Sequence, residues 1–83
     1  MKFKVIPTQQ FAKDFKKIKD EEVKKAIKNK VDEVSYNPNR YKRLHYNLKG
    51  SFRIRVGSYR IVYSTNIELN EMYLEKIVFG HKY

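Results

Sequence analysis

The chain has no cysteine, and that absence removes disulfides, thiolate metal sites and a cysteine nucleophile together. It has only two histidines; with no thiol beside them, no metal site or cofactor is expected. No apolar run approaches the ~20 residues of a membrane-spanning helix. The opening residues, MKFKVIPTQQ, lack the long apolar centre of a signal peptide. The expectation is a cytoplasmic protein with no membrane partner. Acidic residues are missing locally. None lies between Glu33 and Glu68, whereas Arg40, Lys42, Arg43, Lys49, Arg53, Arg55 and Arg60 fall in that window.

What is present in excess is positive charge. The net charge is +10 on 83 residues, which points to a polyanionic partner, nucleic acid first. A lysine-rich surface alone would mix its signs, as residues 13–33 do here. The unmixed central block is better explained by an anion to be bound. The length bounds the rest: residues 1–83 form one small domain. Such a chain buries only about 60–65% of its unfolded surface, so its core is modest.

Ser51 to Tyr63, SFRIRVGSYRIVY, organises the chain. Phe52, Ile54 and Val56 alternate with Arg53 and Arg55. Gly57-Ser58 suits a two-residue hairpin turn, and Tyr59, Ile61 and Tyr63 follow in alternation with Arg60 and Val62. A turn at 57–58 sets Val56 against Tyr59, Arg55 against Arg60, Ile54 against Ile61 and Phe52 against Tyr63. One face is apolar. The other puts two arginines directly opposite each other, an arrangement that destabilises a sheet unless an anion is held there.

The remaining elements follow from periodicity. Lys2 to Ile6 alternates as a short strand ended by Pro7. Thr8 is the expected N-cap of a helix over 9–18, whose buried stripe is Phe11, Phe15 and Ile18. Asp20 caps a second helix with Glu21 and Glu22 in its first turn and Val23, Ile27, Val31 and Val34 inside. Asn37-Pro38 stops it. Lys19-Asp20 is the whole connection, so the helices form an αα-hairpin. Residues 37–50 are a basic loop with Tyr41, His45 and Tyr46. Residues 66–70 make the next turn, and Met72 to Phe79 is the last strand. The predicted fold class is α+β, order βααβββ: an antiparallel twisted sheet with the αα-hairpin on one face.

Strand parity predicts which side faces the helices. Phe3, Val5, Phe52, Ile54, Val56, Tyr59, Ile61, Tyr63, Tyr73, Ile77 and Phe79 go inward. Lys2, Lys4, Arg53, Arg55, Arg60, Lys76 and Lys82 then share the outer face, a basic platform. Glu75 falls on the core side by this count and is assigned to an edge. Asp14, Asp32 and Glu33 read as solvated charges, so paired-carboxylate chemistry is not expected.

The pattern LKG…FRIRVGSYRIVY, followed by IVFGHK, resembles the RelE/ParE superfamily of type II toxin–antitoxin toxins, with the RelE-like branch favoured. The resemblance runs over essentially the whole chain and implies a RelE-like, microbial-RNase-like fold. RelE-like members cleave message in the ribosomal A site; ParE-like members poison DNA gyrase. A plain RNA-binding module is the reading from a different class. Matched by motif, Arg53 and Arg55 are the paired basic positions of the second strand, Arg60 is the arginine of the third, and Lys82 is the basic residue of the closing motif. RelE-like enzymes often carry a tyrosine a few residues beyond that motif, whereas here Tyr83 follows Lys82 directly. The implied catalytic set is Arg53, Arg55, Arg60, His81, Lys82 and Tyr83. Lys2, Lys4, Arg40, Lys42, Arg43, Lys49 and Lys76 are the implied RNA-binding set. The implied partners are the ribosome, its mRNA and a RelB-like antitoxin that folds on binding.

In metal-free RNA cleavage the 2′-hydroxyl attacks phosphorus, and the crowded phosphorane needs positive charge. Guanidinium groups suit that task but are not bases at neutral pH. Lys82 supplies either a proton or only charge. His81 has the right chemistry for proton transfer, yet by strand alternation it faces away from Lys82. Tyr83 either stacks on a base or carries a proton.

Overall fold

Thr8 starts the first helix and ties it to the sheet. Its extended backbone sets it outside the helix, and its hydroxyl oxygen accepts from the Phe11 N–H at 3.3 Å. The hydroxyl proton is shared between the carbonyl oxygens of Leu74 at 2.7 Å and Glu75 at 3.1 Å. The computed structural model describes residues 2–38 and 51–79. Through them run β1 (Lys4–Pro7), α1 (Gln9–Lys17), α2 (Glu21–Val34), β2 (Ser51–Val56), β3 (Tyr59–Asn66) and β4 (Glu71–Phe79). Asp20 caps α2 as expected, accepting from the Glu22 N–H at 2.9 Å. Of the basic loop expected over residues 37–50, residues 39–50 lie outside the described residues, as do the terminal residues from 80 onward.

The strands form one sheet in the order β1-β4-β3-β2. The hairpin register is the expected one: Phe52 pairs with Tyr63, Ile54 with Ile61, Arg55 with Arg60 and Val56 with Tyr59. Gly57 opens the turn at φ +59°, where a side chain would be strained. Asn70 closes the β3–β4 turn at φ +54°, a conformation asparagine tolerates.

One expectation is corrected. The sheet is mixed rather than wholly antiparallel, because β1 runs parallel to β4. The helical crossover delivers the chain from β1 to the far edge, β2, in the same direction. The meander then reverses twice, so β4 arrives beside β1 pointing the same way. The α+β class, the element order and the helices on one face stand.

The core lies between the helices and that face. Phe11, Ile18, Ile27, Val31 and Val34 from the helical side meet Phe52, Ile54, Ile61, Tyr63, Met72 and Leu74 from the sheet. The Phe52 and Tyr63 rings stack with centroids 5.1 Å apart. The buried Tyr63 hydroxyl donates to the Pro38 carbonyl at 2.8 Å, which ties the segment following α2 to β3.

A second correction concerns β4. Ile61 pairs with Ile77 and Val62 with Lys76, but Tyr63 pairs with Leu74. Glu75 is therefore the extra residue of a β-bulge. The bulge reverses parity along the strand, so Met72 and Leu74 are buried and Tyr73, expected inside, lies on the outer face. Helix α1 holds the bulge in place. Besides the Thr8 hydroxyl, the Thr8 N–H donates to the Leu74 carbonyl at 3.0 Å. The Ile77 N–H donates to Asp14 Oδ2 at 3.0 Å, so Asp14 is a strand ligand and not the solvated charge expected.

Replacing Thr8 with valine keeps the shape and removes the cap and both carbonyl contacts. A lost N-cap costs about 1–2 kcal/mol. Melting should fall by roughly 4–8 °C per kcal/mol in a domain of this size. An unchanged melting temperature would show that the bulge does not depend on Thr8.

Candidate nucleic-acid interface

Because the apolar members of each strand go to the helices, the other face receives what alternates with them. On β2 and β3 these are Arg53, Arg55, Arg60 and Val62. Arg55 lies directly opposite Arg60, and Val62 is flanked by Arg53 on one side and Lys76 on the other. Arg55 is exposed, while Arg53 and Arg60 are half-buried. Val62 is only 7% exposed although it faces away from the helices, so it makes an apolar floor between cationic neighbours. The Arg55 Nε donates to the Gly57 carbonyl at 3.4 Å, a long bond that leans the side chain towards the turn. Like charges facing each other cost roughly 0.2–1 kcal/mol; the Phe52–Tyr63 stack on the opposite face supports the same strand pair.

The platform is not uniformly basic, and this differs from the sequence reading. Glu75, which parity alone sends inward, is brought to the outer face by the bulge and accepts from the Ser64 hydroxyl at 2.6 Å. Tyr73 pairs with Ser64 in register, and its hydroxyl donates to the Glu71 carboxylate in a short hydrogen bond. That bond, helped by burial and by the Glu71 charge, raises the Tyr73 phenol above its ordinary range. The face thus has a cationic half near the hairpin turn and a hydroxyl–carboxylate half towards the β3–β4 turn. The β4 sequence carries a signal for this: Met72/Leu74 and Ile77/Phe79 alternate in opposite phase, with the polar pair Glu75-Lys76 at the break.

The remaining candidates divide. Lys76 and Lys4 are exposed on the outer face, Lys4 level with Glu71. Lys2 does not join them. Its ammonium pairs with Asp32 of α2 at 3.1 Å and lies 5.8 Å from the centre of the Tyr36 ring, which places it on the helical side. Arg40, Lys42, Arg43, Lys49, His81, Lys82 and Tyr83 lie outside the described residues. A cavity of about 300 Å³ opens on the helical side, lined by Val5, Phe11, Phe15, Ile27, Val31 and Leu74 among others. Its lining includes none of the arginines, which lie on the face of the sheet turned away from the helices. Chemically, such a group of guanidinium side chains can bind and chelate phosphate oxygens.

Comparison with known proteins agrees with this architecture. A family model described as the ParE toxin of the type II toxin–antitoxin system, parDE, matches residues 5–77. No curated protein sequence matches significantly. Among solved structures, the toxin–antitoxin complex RelBE2 from Mycobacterium tuberculosis is similar at TM-score 0.83 and 23% identity, covering 95% of this chain and 99% of that one. The isolated RelE toxin of E. coli gives 0.81 at 20% identity, covering 94% of this chain and 84% of that one. The archaeal RelE–RelB complex from Pyrococcus horikoshii OT3 gives 0.81 at 19% identity, with both chains fully covered. At these identities the structures establish a shared fold, and the family match over most of the chain establishes descent. No helix among the described residues is long and apolar enough to cross a membrane. With a RelE-like sheet and helical pair and a match from β1 to β4, the chain belongs to the ParE toxin family of type II toxin–antitoxin systems, within the RelE/ParE superfamily.

Proposed function

We propose that this toxin is an mRNA endonuclease that works on the ribosome, cleaving message in the A site by metal-independent attack of the 2′-hydroxyl. The observation that carries the reading is the Arg55–Arg60 pair, opposed across the hairpin on the outer face with Arg53 and Lys76 nearby. In the reaction the 2′-oxygen loses its proton and bonds to phosphorus. The bond to the 5′-oxygen breaks, and that oxygen takes up a proton. The products are a 2′,3′-cyclic phosphate and a 5′-hydroxyl. Arg53, Arg55 and Arg60 stabilise the charge that builds on the phosphorane. His81, Lys82 and Tyr83, assigned by resemblance, are the candidates for proton transfer. Lys4, Lys76 and the basic residues Arg40, Lys42, Arg43 and Lys49 supply docking charge towards ribosomal RNA.

Ribosome dependence fits an arginine clamp, since guanidinium groups bind a backbone phosphate but do not by themselves orient the 2′-hydroxyl in line. The test is a purified translation reaction with primer extension on the message, run with and without ribosomes. Cuts that require ribosomes are expected. The ParE description of the matching family favours a second reading, inhibition of DNA gyrase. Gyrase inhibition without message cleavage would select it. RNA binding with neither activity would leave a non-catalytic module.

The partner proposed is an antitoxin whose acidic or amphipathic segment folds on the toxin. Two of the three solved structures compared above are toxin–antitoxin complexes, and the charge of +10 favours an acidic partner. Co-expression with a small neighbouring antitoxin gene is expected to restore growth. If no neighbouring gene does so, the pairing is wrong.

A further inference from the structure

We infer that Glu75, steadied by Ser64, reads the nucleobase beside the clamped phosphate and gives the toxin a preference for guanine there. The inference rests on the nuclease reading above.

The first support is the bulge. In an unbroken strand Glu75 would turn towards the core beside Tyr63, where an unpaired carboxylate is costly. The extra residue sends it outward instead, and the Thr8 and Asp14 contacts to Leu74, Glu75 and Ile77 fix that arrangement from the helix. Bulges of this kind re-aim side chains next to functional sites.

The second support is hydrogen-bond polarity. A serine hydroxyl has one proton, and that of Ser64 goes to Glu75 Oε2 at 2.6 Å. The Ser64 oxygen and the carboxylate therefore offer only lone pairs to anything that approaches. Such a site selects a base edge with adjacent donors. Unpaired guanine presents N1–H and the N2 amine side by side. Adenine and cytosine each place an acceptor nitrogen beside their single amine, and uracil sets its N–H between two carbonyls. Guanine alone satisfies the pair.

The third support is position. Glu75 sits level with Val62 and Tyr63, and Arg60 is two residues back from Val62 along β3, about 7 Å at strand rise. That is the breadth of one nucleotide, which matches a phosphate at Arg55 and Arg60 with its neighbouring base over Val62. Unstacked single-stranded bases are read on this edge by proteins.

The experiment maps cut sites in the ribosome reaction for the parent and for Glu75→Gln, with thermal melting alongside. The glutamine is the same size and can still accept from Ser64, but it presents a donor where the carboxylate accepted. The parent should favour guanine at one fixed position by about tenfold or more, and Glu75→Gln should flatten that preference. A message with inosine at that position removes the N2 amine and tests the parent protein without any mutation. Cleavage there should fall several-fold in the parent and hardly at all in Glu75→Gln. A Glu75 that merely offsets arginine charge would change all sites alike. An unchanged preference in the variant, no guanine preference in the parent, or indifference of the parent to inosine each overturns the inference. A parent that cuts nothing on ribosomes overturns the nuclease reading instead.

Discussion

Replacing Arg60 with alanine is expected to slow message cleavage on the ribosome by about 10²–10³, while the protein stays folded. Arg60 is directly opposite Arg55, so both guanidinium groups can converge on one phosphate. The contact matters most when the phosphorane gathers charge, and losing one such donor removes about 3–4 kcal/mol of transition-state stabilisation. The fold should survive because the side chain lies on the face away from the core, and its removal relieves repulsion with Arg55. Single-turnover cleavage on saturating ribosomes, beside thermal melting, separates the two effects. A folded variant that cleaves at the parental rate would remove Arg60 from the site and the phosphate clamp with it.

Phe52→Ala should do the reverse and abolish toxicity through stability. Phe52 is 2% exposed and stacks on Tyr63. Truncating a buried phenylalanine costs about 3–5 kcal/mol. A chain of this length has roughly 4–12 kcal/mol in all. Melting should drop by on the order of 15 °C or more, leaving a substantial unfolded fraction at growth temperature. The loss also reaches the site, because Phe52 anchors the strand that carries Arg53 and Arg55. Phe52→Leu, which leaves a smaller void, should recover much of the stability and the cleavage together. If Phe52→Ala melted like the parent, the stacked pair would not be the anchor of β2.

The two variants separate the two faces of one hairpin, and that separation was legible in the sequence. The alternation of Phe52, Ile54, Ile61 and Tyr63 with arginines gave the turn, the register and the arginine pair. Thr8 and Asp20 were readable as caps because a cap is a local hydrogen bond between neighbours in the chain. The fates of Tyr73, Glu75 and Asp14 were not readable in the same way. Each depends on one extra residue in β4, stabilised by Thr8 and Asp14 from more than sixty positions away. Lys2 likewise left the platform because α2 supplies Asp32 beside it.

By itself, the sequence determined the element order, the apolar face and the concentration of positive charge opposite it. These follow from side-chain periodicity and composition, which act over a few residues. Only the tertiary structure decided that β1 joins the sheet parallel to β4 and that the platform carries a carboxylate. Strand order and bulges are settled by which distant backbone donors and acceptors can be satisfied at once around a shared core. A chain read one window at a time does not contain that condition, whereas the folded protein has to meet it everywhere.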